Sequence, residues 1–91
     1  MVSERHIIIF SGRVQGVGFR LTTVQLARRR TVGGTVRNLH DGRVELVLEG
    51  EAAEIRGLVA DIRRHFEGFI HDVAHSTENP VGLAPPVRIV Y

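Results

Sequence analysis

The sequence predicts an α+β sandwich, an antiparallel sheet with two helices on one face, in the order β-α-β-β-α-β and followed by a short C-terminal strand. Three observations predict it. Ile55, Leu58, Val59, Ile62 and Phe66 recur at helical spacing. Thr35 to Leu39 and Arg43 to Glu49 flank a His40-Asp41-Gly42 turn, the pattern of a hairpin. The apolar run Ile7-Ile8-Ile9-Phe10 stands before the first helical segment, and Phe69 to Ser76 reads as a strand after the second.

The elements follow in chain order. His6 to Ser11 holds the run Ile7-Ile8-Ile9-Phe10, continuous and rich in β-branched residues, as in a central strand covered on one face and partly on the other. From Leu21 to Arg30 the pattern is helical, with Leu21, Val24 and Ala27 on one side and Gln25, Arg28 and Arg29 facing solvent; Gly33 and Gly34 are expected to stop it. In the hairpin, a two-residue Asp41-Gly42 loop would pair Arg37 with Leu46 and mix polar with apolar on both faces. A three-residue loop with Gly42 left-handed pairs Val36 with Leu46 and Asn38 with Val44 on one face, and Arg37 with Glu45 on the other. Only the second register separates core from solvent, and it puts Asn38 on the core face at the strand's end.

The second helix carries Glu51 and Glu54 in its first turn and Arg63 and Arg64 in its last, which suits the helix dipole, with Gly68 as the expected C-cap. Gly57 opposes it by ~1 kcal/mol relative to alanine. Phe69 to Ser76 reads as a fourth strand, Thr77 to Pro86 as a loop, and Val87, Ile89 and Tyr91 alternate as a short last strand. Two right-handed crossovers around a hairpin give the ferredoxin-like arrangement.

Residues 1–91 make one domain, whose core can bury roughly 60–65% of the unfolded chain's surface. No apolar run approaches the ~20 residues of a membrane span, and the N-terminus lacks a signal-peptide core, so the expected location is cytoplasmic. The absence of cysteine excludes disulfides, thiolate catalysis and cysteine-rich zinc sites. All twelve basic residues are arginine, against ten acidic residues, so the net charge is only +2 and gives little support for a nucleic-acid partner.

Gly12 to Arg20 reads GRVQGVGFR and stands where a strand gives way to a helix. It is neither a Walker loop nor a dinucleotide fingerprint. Glycines allow successive amides to turn inward as a nest, the helix start adds free N–H donors, and Arg20 supplies a planar fork for two oxygens of a phosphate. A tight turn with Arg20 paired to a carboxylate is the alternative. Asn38, an amide on a core face, needs partners or costs ~1–3 kcal/mol, so it either satisfies the neighbouring loop or handles water. His71 and His75 in a strand lie ~13 Å apart, too far for one metal ion, and His6, His40 and His65 stand isolated. The Arg28-Arg29-Arg30 run reads as a solvated helix end. No Ser-His-Asp grouping can be assembled.

The motifs GRVQGVGFR, VRNLHDG and VELVLEG, in this order and spacing, resemble the acylphosphatase family over Ile7 to about Phe66. The resemblance implies a small enzyme that hydrolyses carboxyl phosphates to a carboxylate and inorganic phosphate. It implies that Arg20 binds the phosphate with the amides of Val14, Gln15, Gly16, Val17, Gly18 and Phe19, and that Asn38 positions the attacking water. It further implies a monomer with a small-molecule acyl phosphate substrate, inhibition by inorganic phosphate or sulfate, and no metal or cofactor. Leu21 stands where the family often has an aromatic residue, Thr35 where it has tryptophan, and EGFIHDVAHSTENP replaces the family's usual pattern past Phe66. Two other function classes compete with this one: a non-catalytic module that binds acyl or carbamoyl phosphate, against which the length of the chain argues, and an RNA binder, against which 5% aromatic content argues.

Overall fold

The computed structural model describes residues 2–91. The chain runs β1 (Glu4–Gly12), α1 (Phe19–Ala27), β2 (Val32–Asn38), β3 (Val44–Gly50), α2 (Ala52–His65), β4 (Ile70–Glu78) and β5 (Val87–Ile89). The strands form one sheet in the order β4-β1-β3-β2-β5. Strands β1 to β4 pair antiparallel, as the element order requires, while β5 lies parallel to β2 at the sheet's edge and makes the sheet mixed.

The hairpin has the three-residue loop. Val36 pairs with Leu46, Arg37 with Glu45 and Asn38 with Val44; the Leu39 amide donates to the Arg43 carbonyl at 2.8 Å, and Gly42 closes the loop at φ 92°. Binary patterning decided the register, because a slip by one residue would turn Val36 and Leu46 out to water.

Ile8 and Phe10 of β1, Val36 of β2 and Val44, Leu46 and Leu48 of β3 are fully buried against Ile55, Leu58 and Ile62 of α2. Phe19 of α1 joins this core through an aromatic chain, with ring centroids 5.1 Å from Phe10 and 4.6 Å from Phe66. Offset and tilted ring pairs of this kind add to the burial energy of each residue, and they fix the start of α1 against β1 and the end of α2.

Several local expectations need correction. Helix α1 begins two residues earlier than Leu21 and ends at Ala27, burying Phe19, Thr23 and Ala27. At 3.6 residues per turn Leu21 lies about 200° round from Phe19, and it is exposed. Gly33 and Gly34 belong to β2: a Cβ on Gly33 would strike the backbone of Leu83 and Ala84, and one on Gly34 the Val47 carbonyl. They are glycine because other chain segments pass against them, and the turn after α1 is made by 28–31. Phe66 caps α2, with Gly68 two residues beyond at φ 87°, and Glu51 is the N-cap residue while Glu54 occupies the first turn. Strand β4 extends to Glu78, into the stretch read as loop. Arg30 is not a solvated helix end: it pairs with Asp61 at 3.0 Å and Glu54 at 3.3 Å. Its guanidinium occupies the space that a side chain at position 57 would take, so Gly57 admits the ion pairs that tie the turn after α1 to α2.

One buried carboxylate positions the sheet's far edge. Glu49 accepts the amides of Val81, Gly82 and Leu83 at 3.1, 2.9 and 3.2 Å and the Arg5 guanidinium at 2.6 Å. Burial alone would raise the Glu49 carboxyl; the Arg5 hydrogen bond and the three amides outweigh it and hold the group below its ordinary value. The loop so held delivers β5 to the edge of β2.

Candidate functional site

The segment between β1 and α1 is shaped by glycine. Gly16 and Gly18 have φ of 76° and 78°, and Val17 between them is not in the left-handed region. A side chain at either glycine would meet open space, so the backbone angle, and not crowding, demands glycine there. Alternation of φ sign turns successive amides toward one point. Val14, fully buried, roots the loop in the core.

Among the described residues, no amide from Val14 to Leu21 donates to a backbone or side-chain acceptor; the first helical bond is made by Thr22 to the Gly18 carbonyl. Gly18 gives no side-chain cap, and the first turn of α1 has no acidic residue. The helix start therefore keeps its free donors and partial positive charge. Arg20 stands in that first turn and forms no ion pair with any described carboxylate; its guanidinium faces the Tyr91 ring at 5.3 Å. The turn held by an arginine–carboxylate pair is not what forms.

The loop, α1 and the ends of β2 and β5 enclose a cavity of about 170 Å³. Val14, Gly16, Gly18, Phe19, Arg20 and Asn38 of the sequence-derived set line it, together with Leu21 and Ile89. Gln15 and Val17 do not. The Gln15 side-chain amide instead donates to the carbonyls of Leu39 and Arg43 at 2.8 and 2.9 Å, tying the loop to the hairpin that carries Asn38. Sequence reasoning gave Gln15 only its backbone amide and missed this contact, because nothing in the motif's spacing says which carbonyls lie opposite. Asn38 Oδ1 is buried without a hydrogen-bond partner among the described residues. Buried amide oxygens are normally paired, so this one stands out as an acceptor that no described protein group satisfies. The satisfied, structural reading of Asn38 is thereby disfavoured.

A larger cavity of about 450 Å³ lies at the opposite end of the sheet, beside Glu49, Glu51 and Glu54. Its carboxylates repel an anion, and Glu49 and Glu54 are already engaged by protein donors. The histidines also differ from expectation. His6 is not isolated: its Nδ1 lies 2.6 Å from His75 Nε2 and its Nε2 lies 2.7 Å from Glu4 Oε1. Burial, and then the neighbouring His6, lower the His75 imidazole below its ordinary value. The pair links β4 to β1 and does not line the cavity beside Arg20.

A family model described as acylphosphatase matches residues 6–82. An acylphosphatase of Haloarcula marismortui is 42% identical over 84 residues, covering 91% of this chain and 92% of that protein. One of Nostoc sp. is 45% identical over 83 residues, covering 86% and 77%. Among solved structures, an acylphosphatase from Bacillus subtilis superimposes with a TM-score of 0.86 at 32% identity, over 97% of this chain and 99% of that one. With the family model, these relatives and the fold in agreement, the chain belongs to the acylphosphatase family.

Proposed function

We propose that this chain hydrolyses the carboxyl–phosphate bond of small acyl phosphates, with Arg20 and the loop amides of Val14 to Phe19 binding the phosphate and Asn38 positioning the attacking water. The observation that carries this reading is the presence, on one cavity of about 170 Å³, of an arginine without a carboxylate partner, an amide nest at a helix start and a buried, unpartnered Asn38 oxygen.

The chemistry follows from these groups. The guanidinium offers two parallel donors to the phosphoryl oxygens, and the nest amides add neutral donors aimed at the same charge. Asn38 Oδ1 accepts a hydrogen bond from water and holds its oxygen toward phosphorus; an amide has no basicity to remove the proton. As the new O–P bond forms and the acyl C–O–P link breaks at phosphorus, that proton passes to a phosphoryl oxygen. The departing carboxylate is a weak base and leaves unprotonated, so the reaction balances with water alone and needs no general acid. Catalysis rests on positioning and electrostatics.

No helix of the described residues is long and apolar enough to cross a membrane. The working form in this reading is a cytosolic monomer inhibited competitively by inorganic phosphate or sulfate, without metal, cofactor or nucleic acid. The test is phosphate release from benzoyl phosphate by the purified, folded chain. Release proportional to enzyme and abolished in Arg20→Gln is expected. Phosphate binding without release above the spontaneous rate would make the chain a binding module instead.

A further inference from the structure

We infer that Leu21, Ile89 and the Tyr91 ring form an apolar rim that receives the acyl group, so that the site prefers acyl phosphates with an apolar acyl body; this rests on the acyl phosphate reading of the same cavity.

The cavity sets the first constraint. Its volume of about 170 Å³ is below the ~300 Å³ at which pockets begin to enclose drug-sized ligands, and one water takes ~30 Å³ of liquid volume. There is room for a phosphoryl group and a water, and the acyl body must rest against the mouth. Amides of the loop, Arg20 and Asn38 form the polar part of the lining, and Leu21 and Ile89 contribute apolar surface to the rest.

Exposure sets the second. Among the described residues four large apolar side chains are strongly exposed; one of them, Leu21 at 57%, lines this cavity, and another, Tyr91 at 96%, does not line it but lies against the Arg20 guanidinium that does. Single exposed apolar residues are ordinary on a protein surface. Here the first turn of α1 aims Leu21 away from the core, β5 brings Ile89 to the cavity, and the Arg20 guanidinium at 5.3 Å gives the Tyr91 ring a partner. Charge sets the third. Arg20 is the one charged side chain lining the cavity, and in the proposed reaction it is committed to the phosphate. An acyl group bearing its own charge finds no counter-ion on the lining, whereas an apolar one removes leucine and isoleucine surface from water.

The experiment compares kcat/KM for benzoyl and acetyl phosphate in the wild type, Leu21→Ser and Leu21→Phe; intrinsic reactivities cancel when the benzoyl-to-acetyl ratio of each variant is divided by that of the wild type. The ratio is expected to fall about tenfold in Leu21→Ser and to be kept or raised in Leu21→Phe. An unchanged ratio in Leu21→Ser, or a fall in Leu21→Phe, overturns the rim. If melting shows Leu21→Ser unfolded, Leu21→Phe still decides. A wild type that hydrolyses neither compound overturns the acyl phosphate reading and the rim with it, while hydrolysis of both with variant-independent ratios overturns the rim alone.

Discussion

The Gln15 side chain donates to the Leu39 carbonyl at 2.8 Å and to the Arg43 carbonyl at 2.9 Å, and the Arg43 carbonyl also receives the Leu39 amide. One side chain thus couples the glycine loop before α1 to the two residues that flank the His40-Asp41-Gly42 turn after Asn38. Gln15→Leu keeps the approximate shape and removes both bonds. Turnover is expected to fall about tenfold through misplacement of loop against Asn38, with stability down by about 1–2 kcal/mol, read by steady-state kinetics and thermal melting. Wild-type turnover in the folded variant would separate the hairpin anchor from catalysis.

Arg20 and Asn38 should separate by kinetics. Arg20→Gln removes the charged fork in ground and transition states alike, so competitive inhibition by phosphate weakens together with turnover. Asn38→Ala leaves the nest and arginine intact; turnover is expected to fall about 10²-fold with the phosphate inhibition constant little changed. Because Asn38 Oδ1 has no protein partner to lose, Asn38→Ala should melt no lower than the wild type. Near wild-type turnover in that variant would remove the proposed water-positioning role.

Glu49 ties stability to acid pH. Its folded carboxyl titrates below its ordinary value because Arg5 and the amides of Val81 to Leu83 outweigh burial. A depressed carboxyl contributes stability that is fully present above the unfolded value, about 4.3, and is lost as pH falls through the folded one. Glu49→Gln is expected to be about 2 kcal/mol less stable at neutral pH, the gap closing at acid pH, as measured by urea unfolding across pH 3–7. A gap that stays constant over that range would contradict the assigned ionisation.

His75 acts in a different window. Burial and His6 lower its imidazole, so the unfolded chain binds the proton more readily and stability rises with pH up to and through the ordinary value, about 6.5. His75→Gln should flatten the rise in melting temperature between about pH 5 and 7. An equally steep rise in the variant would place its origin outside His75.

What could be read along the chain was local and periodic. The stripe Ile55 to Phe66 specifies one helix because apolar residues at that spacing share a face, and alternation around His40-Asp41-Gly42 favours the three-residue loop over the two-residue one because a slip by one residue exposes Val36 and Leu46. The register alone likewise put Asn38 on the core face at the end of its strand.

Only the tertiary structure brought Asn38, Arg20, Leu21 and Ile89 to one cavity. It also decided that β5 lies parallel to β2, that Gly33 and Gly34 are strand residues beneath passing backbone, and that Leu21 faces out. His6 and His75 meet across 69 positions of sequence and Gln15 and Leu39 across 24. A side-chain period states which face of an element is apolar; which distant segment comes to rest on that face is set by packing of the whole core and by caps such as Glu49, which act only once the chain has closed on itself.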